Sequence, residues 1–301
     1  MGTFVGHLIP GFAVALLGLW HILNMAQAFF HKGPDNFKAR FSYPLNIPFL
    51  NLRNLDLVLI LSLSILAIIT QVLDFPIVKL EFRLDNFEHA TMFLHLLVYS
   101  GYALFAELTQ TAESLYGVIA VLASSVFGQE LFLLHFHSTD HVGIEGQYHW
   151  LLQLIVLVSF LSAITVTLSP TSFPASLVLA VSVVFQGLWF INMGFMLWVP
   201  KLVPNGCALH LGLPAHHGEP TVVCASKDAD SRARALANLQ FSWILSTVLV
   251  LTGILCLKLA SSKGTTGKRS AEYQKLQNGS GGDLGLTLSI RSFKPDHSLG
   301  V

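Results

Sequence analysis

Residues 173–198 read FPASLVLAVSVVFQGLWFINMGFMLW and contain no lysine, arginine, aspartate or glutamate. A helix needs about 20 predominantly apolar residues to cross the hydrocarbon core of a bilayer. The segment is long enough and apolar enough for that, so it predicts a membrane-spanning helix. Two amides, Gln186 and Asn192, interrupt its apolar character, and helical spacing places them on different faces.

Six further segments have the same character, and we place them near residues 5–29, 54–73, 87–109, 115–137, 147–168 and 237–260. The whole chain agrees with this, because 53% of its residues are hydrophobic and only 11% are charged, whereas soluble domains carry about 25% charged residues. We therefore expect an all-α integral membrane bundle of seven transmembrane helices, formed by residues 1–260. Residues 261–301 are rich in Gly, Ser and Lys and lack an apolar period, which predicts a disordered cytoplasmic tail.

The overall charge and the motifs argue against several functional classes. The chain has 17 basic and 17 acidic residues and no nucleic-acid-binding motif, so we expect the lipid bilayer, and no nucleic acid, as a partner. It has no Gly-rich phosphate loop, nucleophile elbow or HExxH motif. The case for an enzyme therefore depends on the 13 histidines, and we favour a protein without catalytic activity.

Positive charge predicts the orientation, because cytoplasmic loops carry an excess of lysine and arginine. The loop after the first span and the segment after the seventh are basic, whereas the connections after spans three, four and five contain neither residue. The basic residues are Lys32, Lys38, Arg40, Arg53, Lys258, Lys263, Lys268 and Arg269. We therefore expect a cytoplasmic C-terminus and a lumenal or extracellular N-terminus.

The loop between spans six and seven contains Cys207 and Cys224 and lies outside the cytosol in this orientation. An oxidising lumen favours a disulfide between them, and two free thiols are the alternative. In the tail, Tyr273 and Leu276 frame the sequence YQKL, which fits a tyrosine-based endosomal sorting signal. Asn278 begins a glycosylation sequon, which a cytoplasmic tail would leave unmodified.

Polar side chains recur inside the apolar spans at helical spacing. A lipid-exposed ionisable group costs roughly 2–3 kcal/mol or more, so these groups are expected to face one another inside the bundle. The candidates for a polar chamber or a ligand-binding site are His7, Glu88, His89, His95, Glu130, His137, Glu145, His149 and Gln186. Most of them lie toward the lumenal ends of their spans, so we expect one chamber at that end of the bundle.

Three hypotheses remain open for such a chamber. Imidazole and carboxylate ligands suit Zn²⁺ or Fe²⁺, so His137 and His149, together with Glu130 or Glu145, would form a metal site in a membrane enzyme. Alternatively, the chain of Glu and His residues relays protons or binds a transported solute. The third hypothesis is a hydrogen-bonded network that fixes helix register, without turnover.

Several stretches of sequence resemble the transmembrane protein 45 family, whose plant members are labelled viral-response proteins. The stretches are MGTFVGHLIPG at residues 1–11, GLW at 18–20, EHATMF at 88–93, the segment from Glu130 to His149, and FQGLWF at 185–190 followed by Gly194 and Phe195. The resemblance covers about residues 1–260. It implies a seven-helix protein of the endomembrane system (Golgi, endosome, vacuole or lysosome) or of the plasma membrane. The molecular activity of that family is unassigned. A scaffold or a ligand-binding factor in stress or virus response fits the resemblance, and a small molecule or lipid is the expected kind of ligand.

Within that resemblance, Glu130, His137 and His149 match polar positions of the family, and Glu145 stands where the family has an acid. His89 matches a family histidine. The chain departs from the animal members at three places. Glu88 and Ile244 stand where those members have histidine, which argues against a metal role for Glu88 and His89. The loop with the two cysteines is longer than in the animal members and looks plant-like.

Overall fold

A computed structural model describes residues 4–47, 50–74, 79–80, 84–136, 143–210 and 221–279. Among these residues, seven helices are long and apolar enough to cross a membrane, which confirms the predicted fold class. They are α1 (Phe4–Lys32), α2 (Leu55–Val72), α3 (Leu84–Leu108), α4 (Tyr116–Phe136), α5 (Gly143–Leu168), α6 (Phe173–Trp198) and α7 (Lys227–Gly279).

The connections between the helices differ in length, and three of them contain short strands. The loop between α1 and α2 contains a 3-10 helix, Pro34–Asn36, and the antiparallel strands β1 (Leu45–Ile47) and β2 (Leu50–Leu52). Strands β3 (Leu73–Asp74) and β4 (Lys79–Leu80) pair between α2 and α3. Strands β5 (Cys207–His210) and β6 (Thr221–Cys224) form a hairpin between α6 and α7. The predicted spans and the helices agree within a few residues, except that α7 begins earlier.

The last helix is longer than its apolar span. Its membrane-spanning part ends at Ser262, but the helix is described as far as Gly279. Extending a helix that has already formed avoids the cost of nucleation, so a polar extension without Pro can follow the same axis. The boundary at about residue 260 therefore marks the end of the apolar span. Residues 280–301, the rest of the predicted tail, lie outside the described part.

Helices α1 and α6 pack antiparallel and very closely, because glycines face each other along the contact. A Cβ atom on Gly187 would collide with the backbone nitrogen of Ala15 and the carbonyl oxygen of Gly11. One on Gly18 would lie 2.7 Å from the backbone nitrogen of Val184. At the far end of the pair, the rings of Phe29 and Phe173 stack with their centroids 4.0 Å apart. Small residues are what permit such close approach in membranes.

A second contact joins α5, α6 and α7 through polar groups at the edge of the largest core cluster. The Tyr148 hydroxyl donates to Oε1 of Gln240 (2.7 Å), and Nδ2 of Asn192 donates to the same oxygen (3.1 Å). The indole nitrogen of Trp189 donates to the carbonyl oxygen of Tyr148 (3.1 Å). By contrast, large apolar side chains such as Trp243, which is 74% exposed, cover the outside of the bundle. That is the surface a bilayer requires.

The alternating helices give the bundle two sides, which we name by what they carry. The hairpin side holds the first residues of α1, α5 and α7, the last residues of α6 and the β5–β6 hairpin. The basic side holds the loop between α1 and α2 and the short connection between α5 and α6. There the backbone N–H of Ala39 donates to the carbonyl oxygen of Pro170 (2.8 Å).

Candidate functional site

A cavity of about 260 Å³ lies inside the bundle, between α1, α3, α4, α5 and α6. Its walls are mostly apolar. The lining residues on α4 follow helical spacing, and so do those on α6. They are Ala123, Val126, Phe127, Glu130 and Leu134 on α4, and Ser176, Leu179, Ala180, Val183, Gln186, Phe190 and Trp198 on α6. One face of each helix therefore belongs to the cavity.

The central polar group of the cavity is a pair formed by Glu130 of α4 and Gln186 of α6. Nε2 of Gln186 donates to Oε1 of Glu130 at 2.5 Å. Gln186 is 4% exposed, and Glu130 is half-buried in the cavity wall. The other amide atom, Oε1 of Gln186, is buried without a hydrogen-bond partner among the described residues. The pair thus places a carboxylate in largely apolar surroundings with a single described donor.

Four predicted candidates line the same cavity on its hairpin side. His7 is 3% exposed, and its ring lies 4.4 Å from that of Trp198 at an angle of 33°. Glu145 and His149 project from the first turns of α5, and His89 from α3. These four candidates therefore line one cavity together, with Glu130 and Gln186 deeper inside.

The proton position on His149 follows from its partner. Nδ1 of His149 lies 3.0 Å from the carbonyl oxygen of Glu145. A carbonyl oxygen only accepts, so Nδ1 carries the proton, and in neutral imidazole Nε2 is then the nitrogen that accepts a hydrogen bond or binds a metal. His95 makes the same contact with the carbonyl oxygen of Thr91 (3.0 Å).

Three predicted candidates stand apart from this arrangement. Glu88 and His95 belong to α3 but are not among the residues that line the cavity, because their side chains leave the helix in other directions from His89. His137 lies outside the described residues. Within the described part of the chain, no three His, Cys, Asp or Glu side chains converge into a group that could hold a metal ion. The metal hypothesis, which needs His137, stays a prediction.

The cavity extends further than the sequence indicates, because it continues to the basic side of the bundle. Its walls there include His21, Arg40, Tyr43 and Tyr99. Gly18 of α1 also lines the cavity, between these residues and His7. A chamber confined to the hairpin side was expected, and the structure instead shows one cavity lined by ionisable groups from both sides.

Behind the basic end of the cavity lies a buried carboxylate that sequence reasoning missed. Asp56 is 7% exposed and accepts from the Ser42 hydroxyl (2.6 Å) and from the backbone N–H groups of Tyr43 (3.1 Å) and Leu57 (2.9 Å). Nε2 of His21 lies 3.8 Å from its Oδ2. A lone acid in the first turn of an apolar span was the available signal.

Tyr43 presents a neutral phenol at this end of the cavity. Burial raises the pKa of its hydroxyl to about 12, against the opposing effect of the nearby Arg40 guanidinium. The hydroxyl therefore stays protonated and able to donate at neutral pH. The ring meets that of His21 edge-on, with their centroids 5.3 Å apart, so it also limits how His21 can turn.

The hairpin on the opposite side is closed by a disulfide. Cys207 and Cys224 stand directly opposite each other in the register of β5 and β6, and their sulfur atoms are bonded. Val222 of β6 is buried in the same core cluster as Tyr148 and Trp189. The hairpin is thereby held against the ends of α5 and α7. Residues 211–220, between the two strands, lie outside the described part.

Residues 116–257 match the sequence model of a protein family described as a family of unknown function (DUF716). The match supports a family of that type. It covers α4, α5, α6 and most of α7, and it includes Glu130, Glu145, His149 and Gln186. His7, His21 and Asp56 precede the matched region. No activity is attached to the family's description, so the function has to be argued from the cavity.

Proposed function

We propose that this protein binds an amphipathic small molecule or lipid inside its helical bundle, without turning it over. One observation carries the proposal: a mostly apolar cavity of about 260 Å³ contains the Glu130–Gln186 pair deep in its wall. Binding pockets are typically apolar cavities with a few well-placed polar groups, and they measure about 300–1,000 Å³. A cavity slightly below that range suits a slender molecule.

The surroundings of Glu130 and Gln186 favour a role in ligand binding over a purely structural role. Side chains that only fix helix register usually satisfy each other, as Tyr148, Asn192 and Gln240 do outside the cavity. Glu130 instead keeps part of its side chain at the cavity surface. A buried carboxylate is costly unless it is paired and hydrogen-bonded. A ligand group that donates further hydrogen bonds to the Glu130 carboxylate would therefore contribute to affinity.

The test is to fill the cavity from one wall. Val183 and Val178 are both on α6, but Val183 lines the cavity and Val178, which is 46% exposed, faces outward. The full chain in lipid nanodiscs is exposed to dodecyl probes that carry a diazirine on the chain, and labelled peptides are mapped after illumination. We expect labelling of cavity-lining residues in the wild type and in Val178→Phe, and its loss in Val183→Phe. Equal labelling of the two variants, or labelling of outward-facing residues alone, would contradict the proposal.

Proton-coupled transport is a second candidate, favoured by the extent of the cavity. Ionisable side chains line it from His7 and His149 on the hairpin side, through Glu130, to His21 on the basic side. Such chains of groups form proton relays in membrane transporters. In vesicles containing the protein and a pH-sensitive dye, transport predicts proton flux that Glu130→Gln abolishes. Flux equal to that of empty vesicles would leave binding as the better account.

A metal-dependent enzyme is the remaining alternative, and His137, His149 and Glu130 would be its ligands. Neutral His149 could offer Nε2, as described above, and imidazole with carboxylate suits Zn²⁺ or Fe²⁺. Elemental analysis of purified protein decides this point. One metal per chain, lost in both His137→Ala and His149→Ala, would replace the binding proposal with an enzymatic one.

For orientation, we propose a lumenal or extracellular N-terminus and a cytoplasmic C-terminus. The disulfide-closed hairpin lies on the side of the first residues of α1, and Lys38 and Arg40 lie on the other side, which agrees with positive charge facing the cytosol. A glycan on Asn278 would overturn this orientation. Membership of the transmembrane protein 45 family, residence in endomembranes, sorting through Tyr273 and Leu276, and a part in stress or virus response rest on the sequence patterns described above.

A further inference from the structure

The hydrogen-bonding groups around Glu130 and Gln186 are unbalanced, and the imbalance describes the ligand. A carboxylate only accepts hydrogen bonds, so Gln186 must turn its NH₂ group toward Glu130 and its Oε1 away. The observed contact has that arrangement. The two side chains together offer three oxygens as acceptors and one NH₂ group as donor. Acceptors therefore outnumber donors at the deepest polar point of the cavity.

The neighbouring residues of α4 and α6 do not correct this imbalance. The lining residues of α4 and α6 next to the pair are apolar, among them Phe127, Val183 and Phe190. Oε1 of Gln186 has no partner in the described part of the chain. Among the described residues that line the cavity, Arg40 is the one permanent cation, and it belongs to the loop on the basic side. Leaving a buried acceptor unpaired is costly, so a group that donates there is favoured.

We infer that the ligand carries a hydrogen-bond-donating head, an amine or a hydroxyl, that binds Glu130 beside Gln186. Its slender apolar body then lies along the aliphatic and aromatic walls of the cavity. An ammonium group would also neutralise the carboxylate, which strengthens the hydrogen bond. A carboxylate head would be repelled by ionised Glu130, and an ester head offers acceptors where acceptors are already in excess. This inference rests on the proposed function and adds the chemistry of the ligand's polar end.

The experiment compares four dodecyl probes that differ in the head group alone: amine, alcohol, methyl ester and carboxylate. Each carries the same diazirine, and each is applied to the full chain in nanodiscs at matched concentration in the bilayer. We expect the amine and the alcohol to label cavity-lining peptides at least about tenfold more efficiently than the ester and the carboxylate. Glu130→Gln should reduce labelling by the amine more than labelling by the alcohol, because it removes the charge and keeps an acceptor.

A matched control separates this effect from a general disturbance of α6. Asn192→Leu removes another interhelical amide on the same helix, at a position outside the cavity, and should leave the order of the four probes unchanged. Labelling of the cavity by the ester or carboxylate as efficiently as by the amine and alcohol would overturn the inference while leaving the binding proposal intact. Absence of cavity labelling by all four probes would instead defeat the binding proposal. The wild-type series decides the matter even where a variant fails to fold.

Discussion

Asp56 and Glu130 are both carboxylates inside the bundle, but their surroundings differ. Asp56 accepts from one hydroxyl and two backbone N–H groups and has the imidazole of His21 nearby. Glu130 has one described donor, the amide of Gln186, and borders the cavity. The first carboxylate is satisfied by groups that the fold itself fixes. The second depends on something further, and this difference is why we assign a structural role to Asp56 and a binding role to Glu130.

The comparison also explains why the two sites lie on different elements. Asp56 ties the start of α2 to the loop at Ser42 and Tyr43, so its partners belong to backbone that must be held in place. Glu130 and Gln186 link α4 to α6, and each of these two long helices is also packed against α5. A carboxylate that anchors a loop is expected to be costly to lose, whereas one that faces a cavity is expected to be dispensable for folding.

The largest loss of stability is expected for Asp56→Ala. The change leaves the Ser42 hydroxyl and two buried N–H groups without their acceptor, and hydrogen bonds to charged groups contribute about 1.5–3 kcal/mol each before losses overlap. We expect the free energy of unfolding to fall by about 2–4 kcal/mol, measured by thermal or denaturant unfolding in detergent. Asp35→Ala, at an exposed acid in the same loop, is the control. If Asp56→Ala left stability unchanged but abolished probe labelling of the cavity, Asp56 would be a binding residue and not a structural one.

Gly187→Ala is expected to disturb both carboxylates together. Helix α1 carries His21, which approaches Asp56, and α6 carries Gln186, which holds Glu130; the two helices meet at Gly187. The new methyl group would collide with backbone atoms of α1, which cannot turn aside. Overpacking of this kind costs about 1–3 kcal/mol.

The control for that change is Gly253→Ala on α7, where an added Cβ meets nothing within 4 Å. It should be neutral or slightly stabilising, because alanine favours a helix more than glycine does. The measurement is again the unfolding midpoint, together with probe labelling of the cavity. A Gly187→Ala protein as stable as Gly253→Ala would show that α1 and α6 are not held at the distance described.

Glu130→Gln is expected to change stability little and ligand binding strongly. Oε1 of the new amide can still accept from Gln186, so the link between α4 and α6 survives. The free energy of unfolding should change by about 1 kcal/mol or less, while labelling by the amine probe falls. A stability loss as large as that of Asp56→Ala would make Glu130 a structural residue and remove the contrast between the two sites.

Sequence alone predicted one of these carboxylates and missed the other, for a physical reason. Glu130 stands in the middle of an apolar run, where its cost in lipid marks it as an inward-facing group. Asp56 stands at the start of a span, where an acidic residue is common because it interacts favourably with the helix dipole. Its burial depends on Ser42 and Tyr43, which fold back from a preceding loop.

The seven helices were predictable from the sequence, because each is determined by a long apolar run.

The cavity was not predictable to the same degree, because its shape depends on how the helices pack. Helical spacing indicated that His7, Glu145 and His149 face inward, and these residues line the cavity, as does His89, which was a candidate because of its depth in the membrane. The same spacing also indicated Glu88 and His95, which do not. The close packing of α1 on α6 follows from matching glycines on two distant segments, and the continuation of the cavity to His21 was likewise not indicated by the sequence. No local pattern shows which glycines meet.

The smallest effect is expected for an ion pair that resembles neither carboxylate site. Nζ of Lys38 lies 2.5 Å from Oε2 of Glu113, and it links two loops on the basic side. The hydrogen bond from Lys38 lowers the pKa of the Glu113 carboxyl, but the Glu113 side chain is 76% exposed. Water screens such pairs, so Lys38→Met should reduce the free energy of unfolding at pH 7 by no more than about 0.5 kcal/mol.

The pH dependence of that small effect gives the sharpest contrast with the buried sites. Because the folded pKa of Glu113 is depressed, the contribution of the pair is present above the unfolded pKa, at about 4.3, and is lost as the pH falls through the folded value. The difference in stability between wild type and Lys38→Met should therefore vanish toward pH 3, in a series of unfolding measurements from pH 7 downward. A difference that persists there would have to come from packing of the Lys38 side chain over the Tyr116 ring, whose centroid lies 4.9 Å from its nitrogen. In that case the small contribution of the Lys38–Glu113 pair would not be explained by its exposure to water. The difference between this pair and the buried carboxylate of Asp56 would then need another explanation.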